Sequence, residues 1–213
     1  MKVGVLALQG DVPEHLAALG AILRGDDVIA VRTPPELEQV GALFMPGGES
    51  TTIARLLVQS GLWNPLGERV KNGLPVLATC AGLILLAREL VPGLAGMDPP
   101  TYGLLDVQVR RNDYGSQGES FEAPIHVEGL PGGPFPGVFI RSPRIHSVGP
   151  GATAFAWRGG EAVGVRAGAI WGLAFHPELS GDTRLHRMFL EAAHAAAARA
   201  PTLAATRKRA RKQ

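Results

Sequence analysis

Four apolar runs in the first half of the chain, each followed by a segment of helical character, limit its architecture more than any other feature. Val3–Leu8, Val28–Val31, Ala42–Met45 and Leu74–Thr79 show little alternation of apolar and polar residues. A strand that is apolar on both sides must be covered on both faces, and helices linking parallel strands provide that cover. The helical segments are Val12 to Leu23, Thr51 to Ser60, the stretch after Trp63, and Cys80 to about Leu90. In the first of these, Leu16, Leu19, Ile22 and Leu23 form the apolar face. Asp11 stands in the N-cap position, with Pro13 in the first turn and Glu14 at the capping-box site.

After Gly103 the pattern changes. Leu105–Arg110, Phe121–Val127, Val138–Ile140, Thr153–Trp157, Ala162–Arg166 and Ala169–Phe175 read as strands joined by Gly- and Pro-rich turns, with hairpin turns at 158–161 and 167–168. A final helix runs from Asp182 to about Arg199. The expected fold is therefore α/β, a three-layer sandwich around a mostly parallel sheet with an antiparallel extension. Residues 1–200 are expected to form one domain, and 201–213 a basic, disordered tail.

Composition supports a packed chain. Of 213 residues, 46% are apolar and only 19% charged, enough to build one large core. No apolar run reaches the ~18 residues of a membrane span, and the N-terminal run breaks at Gly10-Asp11 without a cleavage signal. A cytoplasmic protein is expected. The net charge of +2 is unevenly placed: Arg207, Lys208, Arg209, Arg211 and Lys212 leave −3 on the remainder. No aromatic residue is interleaved with these basic ones, which argues against nucleic acid as a partner.

There is one cysteine, Cys80, so no internal disulfide can form. A lone Cys is usually a small core residue, but its surroundings here suggest otherwise. In Val76-Leu77-Ala78-Thr79-Cys80-Ala81-Gly82-Leu83 a buried strand runs straight into a nucleophile-capable residue, with small residues at −2 and +2, and then into a helix. That is a nucleophile elbow with Cys in place of Ser. A strained turn that presents a side chain needs neighbouring backbones close by, which bulky residues would block. The helix start also offers a thiolate positive backbone potential.

A partner lies in Phe175-His176-Pro177-Glu178. Pro177 biases His176 toward extended geometry, and residues two apart in extended chain face the same side. A carboxylate beside an imidazole fixes its tautomer and stabilises its cation, as a Cys–His–acid site requires. In Met45-Pro46-Gly47-Gly48-Glu49-Ser50-Thr51 a strand ends in glycines that let backbone N–H groups approach a ligand, so the loop can supply an oxyanion donor. Ser50 or Thr51 also suits a helix cap. The spacing of a phosphate-binding loop is absent.

These three stretches closely resemble the class I, or triad, glutamine amidotransferases, whose fold is flavodoxin-like. Within that family they resemble the glutaminase subunits of pyridoxal 5′-phosphate synthase. The phrases that carry the likeness are GVLALQGDVPEHLAAL, FMPGGESTTIARLL, TCAGLILLA, LLDVQVRRNDYGSQGESFEAPI, GVFIRSPRI and FHPELSGD, from residue 1 to about 195. The resemblance implies hydrolysis of L-glutamine through a thioester on Cys80. His176 would act as base and acid, and Glu178 would orient it. Gly48 and the N–H of Ala81 would hold the oxyanion, and Gly48, Glu49, Ser50, Arg111, Ile140 and Arg141 the glutamine. It implies no cofactor and no metal. It also implies a synthase subunit as ammonia acceptor, which would raise the activity of a poorly active free chain by turning the Gly47-Gly48 peptide.

The chain departs from that pattern at Ala78, where Gly is usual, at Ser142, where Ala is common, in a longer stretch from Leu90 to Pro99, and in its basic tail. His15 is expected on the polar side of the first helix, facing a partner. His126, His146, His186 and His194 lack metal-ligand spacing and are given no chemistry. The competing readings are another Cys–His–acid enzyme, a glutaminase feeding a different synthase, and a regulatory module that kept the fold. The paired arginines and intact Cys80, His176 and Glu178 argue against them.

Overall fold

A computed structural model of the protein describes residues 1–92, 98–114 and 120–199. The expected tail, part of the Leu90–Pro99 stretch and residues 115–119 of the 104–125 motif lie outside the described residues.

The first half alternates as expected: β1 (Val3–Leu6), α1 (Val12–Gly20), β2 (Val28–Val31), α2 (Pro34–Leu37), β3 (Ala42–Met45), α3 (Ser50–Gln59), α4 (Trp63–Lys71), β4 (Val76–Thr79) and α5 (Ala81–Leu86). The second half is mostly strand: β5 (Ala87–Leu90), β6 (Leu105–Arg110), β7 (Phe121–Val127), β8 (Phe135–Phe139), β9 (Arg144–Val148), β10 (Thr153–Arg158), β11 (Glu161–Ala167) and β12 (Ile170–Leu173). It closes with α6 (Arg184–Arg199).

The main sheet has the order β2-β1-β3-β4-β12-β11-β10-β7-β8 among the described residues, and a smaller one runs β5-β6-β9. Strands β2, β1, β3, β4 and β12 are parallel, and β11, β10, β7 and β8 continue antiparallel from that edge. The inner strands β1, β3 and β4 are buried on both faces, as their unbroken apolar sequence requires, whereas the edge strand β2 is mostly half-buried. On one face α1 packs over β1 and β2, with its His15 against Phe44 of β3, and α6 packs over β3 and β12: Phe44 stacks on His186 and meets Phe189 edge-on, and Phe189 in turn meets Trp171. On the other face α5 lies against β12, where Gly172 leaves room for Leu83 and Leu105, and α3 packs beside α5 and α4. Trp171 and Gly172 are consecutive, so their opposite orientations define the three layers.

Several local expectations change. The helix after Cys80 ends at Leu86, because Ala87–Leu90 leaves it to pair with β6. Strand β8 lies three residues earlier at its start than its apolar run suggests, since Pro136 and Gly137 fit its register opposite Pro124 and Ala123. The turn before β12 is Gly168-Ala169, one residue later than expected, because Ala167 pairs with Ile170. Strand β9 and the short α2 have no apolar periodicity to reveal them.

Candidate active site

Four chain segments leaving the C-terminal ends of parallel strands build one site, the position where open α/β sheets carry ligands. They follow β1 (Gln9–Asp11), β3 (Pro46–Ser50), β4 (Cys80) and β12 (His176–Glu178). Cys80 occupies the elbow. Its N–H donates to Leu173 O (2.9 Å), tying it to the neighbouring strand end, and its backbone has φ 47° and ψ −102°. A non-glycine residue there stores about 1–3 kcal/mol of strain, which the surrounding structure must hold. The small neighbours serve this directly: a Cβ on Gly82 would lie 2.5 Å from Met45 O and 3.2 Å from Ala78 Cβ. Ala78 therefore fits the elbow, though little larger would.

His176 is 3% exposed and faces the same cleft as Cys80. Its backbone N–H donates to Val138 O (2.8 Å), so the antiparallel extension fixes its height above the sheet. Its Nδ1 lies 2.8 Å from Glu178 Oε1 and 3.2 Å from Asp11 Oδ2. Pairing with Glu178 does not come from extended chain: Pro177–Leu179 forms a single 3-10 turn that folds Glu178 under the ring. Burial alone would favour the neutral imidazole, but Asp11, Cys80 and Glu178 outweigh it and push the His176 pKa well above its usual value. Among the described residues His176 Nε2 makes no complete hydrogen bond, leaving it open toward the thiol side.

Asp11 thus stands in the N-cap position of α1 without capping it by its side chain. Its carboxylate makes no cap bond; it turns to His176, and Glu14 forms no capping box. Nor do Ser50 or Thr51 cap α3. Glu49 does, accepting from Thr51 N (3.0 Å) and Thr52 N (2.6 Å), and despite partial desolvation these bonds lower its pKa to about 2. Arg111 Nη2 lies 3.5 Å from Glu49 Oε1 and Nη1 3.4 Å from Asp98 Oδ1. Ser142, fully buried, accepts from Ile140 N (3.2 Å) and so steadies the turn in which Arg141 takes φ 45°.

The cleft holds about 120 Å³ and is lined by Gly48, Glu49, Ser50, Cys80, Arg111, Ile140, Arg141 and His176, together with Asp11, Ile84, Asn112 and Leu179. It is well below the ~300–1,000 Å³ of sites for drug-sized ligands, which suits a substrate of amino-acid size. All the residues expected to hold glutamine meet here. Ala81 is buried at the helix start behind Cys80, and Glu178 sits behind His176. A fixed anion, Glu49, and the guanidinium groups of Arg111 and Arg141 offer complementary charges for an ammonium and a carboxylate.

The comparison that decides the family matches residues 5–195 of the chain to the model of the SNO glutamine amidotransferase family. The chain belongs to that family. The amidotransferase is 50% identical over 191 residues to pyridoxal 5′-phosphate synthase subunit PdxT of Streptomyces coelicolor, covering 89% of this chain and 92% of that one. To the PdxT subunit of Thermococcus kodakarensis it is 48% identical over 198 residues, covering 91% and 99%. A crystal structure of a glutamine amidotransferase, 45% identical, superposes with a TM-score of 0.82 over 91% of this chain and 100% of that one. A Thermotoga maritima glutamine amidotransferase, at 19% identity and a TM-score of 0.58, shares the fold, with 90% and 84% covered. The fold is thus the flavodoxin-like one of the class I amidotransferases.

Around this site the sequence reading missed three groups. Asp11 was hidden by its cap-like position. His15 does not face outward: it is fully buried, with Nε2 3.3 Å from Thr79 Oγ1 and 3.4 Å from Glu178 Oε2. Its Nδ1 lies 3.3 Å from Nε2 of His186, also fully buried. Its position at i+4 from Asp11 on the first helix was the available signal, since that spacing puts both residues on one face. For metal binding, Asp11, His176 and Glu178 present ligand atoms within 4.8 Å of one another. That cluster is the one already engaged around His176.

Proposed function

We propose that Cys80, His176 and Glu178 carry out the hydrolysis of L-glutamine to L-glutamate and ammonia. The observation that carries this reading is the 2.8 Å contact of His176 Nδ1 with Glu178, beside a cysteine held at positive φ on an elbow. The Cys80 sulfur attacks the side-chain amide carbon, and the developing oxyanion meets the N–H groups of Gly48 and Ala81. His176, held as a cation by its carboxylates, gives its Nε2 proton to the departing ammonia and leaves a glutamyl thioester on Cys80. Water, losing its proton to the now neutral His176, then releases glutamate. Glu49, with Ser50, Arg111, Ile140 and Arg141, holds the amino-acid end of the substrate, so that only the amide reaches the sulfur.

The chain is the glutaminase subunit of pyridoxal 5′-phosphate synthase, and the synthase subunit receives the ammonia for vitamin B6 biosynthesis. Coupling of the two reactions fits the chemistry, because ammonia released into water is protonated and lost. A switch by that partner would act on the Gly47-Gly48 peptide. Gly47 O accepts from Asp11 N (3.2 Å) and Glu49 N donates to Gln9 Oε1 (2.8 Å), so turning the peptide must give up the first of these bonds. The reading further takes residues 1–200 as one domain, supported by a sheet that unites both halves of the chain, and 201–213 as a tail without a catalytic part. It places the protein in the cytoplasm, where a reduced catalytic thiol persists. Among the described residues no helix is long and apolar enough to cross a membrane.

The test is ammonia release from glutamine with the synthase subunit present. Cys80→Ala should abolish it while the circular dichroism spectrum persists, and a glutamine-mimicking chloroketone should add mass once, at Cys80. Full turnover by Cys80→Ala would overturn the assignment.

A further inference from the structure

Glu178 presents two oxygens to two different surroundings. Its side chain is 0% exposed. Oε1 takes the His176 contact, whereas Oε2 is buried and accepts no hydrogen bond of normal geometry among the described residues. A buried carboxylate oxygen left without a donor is destabilised, and it pulls the group toward its protonated form. A protonated Glu178 could no longer stabilise an imidazolium at His176. The nitrogen standing 3.4 Å from Oε2 is Nε2 of His15, and His15 has a second histidine behind it.

We propose that His15, backed by His186, is a positioning residue for glutamine hydrolysis, donating its Nε2 proton to Oε2 of Glu178 so that this carboxylate stays ionised and aimed at His176. The proposal rests on the roles assigned above to Cys80, His176 and Glu178.

Hydrogen-bond chemistry gives the row one consistent direction. His186 Nε2–H donates to His15 Nδ1, which leaves His15 its proton on Nε2. That proton is shared between Thr79 Oγ1 (3.3 Å) and Glu178 Oε2 (3.4 Å). Glu178 Oε1 accepts from His176 Nδ1–H, and His176 Nε2 is left for the thiol. Each tautomer is fixed by the next group in line, the way a buried network gains specificity. The alternative tautomer at His15 would set an unprotonated nitrogen against a carboxylate oxygen, two lone pairs facing each other in a buried space.

The surroundings keep the two donors neutral. Burial, with the charges of His186 and His176, holds the His15 pKa well below the ordinary histidine value, and burial lowers that of His186 to about 4 against the opposing pull of Asp182. The aromatic bed of Phe44 and Phe189 excludes water from this side. Among the described residues, the charged and titratable groups facing Glu178 are His176, Asp11 and His15. Of these only His15 reaches Oε2 from the sealed side. A neutral donor is what that place needs, since a second cation there would compete with the imidazolium for Glu178.

Two substitutions separate positioning from packing. The amide nitrogen of Gln reaches about as far as histidine Nε2 and keeps a donor, whereas Met fills similar space without one. The full chain is assayed with its synthase subunit, following kcat, KM and the pH profile of glutamine hydrolysis. His15→Met should lower kcat by about 10- to 100-fold, the range set by losing a hydrogen bond to a charged group, with KM little changed. The acidic limb of its profile should move up by about one pH unit, as Glu178 protonates more readily. His15→Gln should recover most of the rate and the wild-type limb. Equal activity of the two variants would show that His15 only fills space, and would overturn the proposal without touching the catalytic triad. If neither variant folds, 15N spectra of histidine-labelled wild-type protein decide: His15 should be neutral with its proton on Nε2 between about pH 6 and 8. A proton on Nδ1, or a charged ring, would overturn it as surely.

Discussion

The two sides of His176 differ sharply, although both lie at the same edge of one sheet. In front is a polar cleft whose backbone is strained, with Cys80, Asn112 and Arg141 all at positive φ. Behind is a dry layer in which His15 and His186 lie among Phe44, Phe189 and Trp171. The front holds charges that a polar substrate can answer. The rear holds titratable groups as neutral donors, because burial raises the cost of charging them. The proposed reactivity is thus concentrated on the face where strain and charge meet solvent. On the proposal for His15, the rear sets protonation and alignment. Substitutions in front should change turnover with little effect on stability, and those of the apolar side chains behind should do the reverse, whereas His15 acts on turnover through Glu178.

The sharpest break of that contrast comes from the front. A Cβ on Gly47 would collide with His176 Cε1 and come within 2.6 Å of Asp11 Oδ2. Gly47→Ala should therefore displace the imidazole and lower kcat/KM for glutamine by about 100-fold, the effect of roughly an ångström of misplacement. Its thermal midpoint should stay close to wild type. A Gly47→Ala protein with normal turnover would show that the ring has more freedom than its surroundings suggest.

The rear gives the converse. Phe189 is 1% exposed and packs edge-on against Phe44 and Trp171. Phe189→Ala should lower stability by about 3–5 kcal/mol in denaturant titrations, from lost burial and the cavity left behind. Its folded fraction should keep most of its kcat. A Phe189→Ala protein of undiminished stability but much reduced turnover would erase the distinction between the two sides.

A smaller effect follows from the buried histidines. The pKa of His186 is about 4 in the folded chain and near 6.5 when unfolded. Between those values the unfolded state binds more protons, so stability is complete above pH 6.5 and is lost as pH falls toward 4. The loss from His186 is on the order of 3 kcal/mol by proton linkage. His186→Leu should flatten that part of the stability curve, measured by urea titration at pH 7 and pH 4.5. Parallel curves for the two proteins would show that acid acts elsewhere.

Much of the site was legible because its parts are local. The elbow is written as an apolar strand with small residues around Cys80, and His176 and Glu178 are two residues apart. The glycines before Glu49 mark a close approach of backbone. Each of these is a constraint between neighbours in sequence, and neighbours leave a pattern. The fold class was legible for a similar reason, since unbroken apolar strands need cover on both faces. Even so, the expected extended geometry at Pro177 became a 3-10 turn, and the helix after Cys80 gave up Ala87–Leu90 to a distant strand.

Sequence by itself determined the parallel core, the elbow cysteine and its His–acid partner, because periodicity and short spacing encode burial and local geometry. Only the tertiary structure decided that Asp11 turns from the helix it begins toward His176, and that His15 turns inward to meet Glu178. It alone brought His186 to His15 across a separation of 171 residues. Contacts of that range depend on how the layers close over one another, and a pair of polar residues far apart in the chain carries no periodicity to announce its meeting.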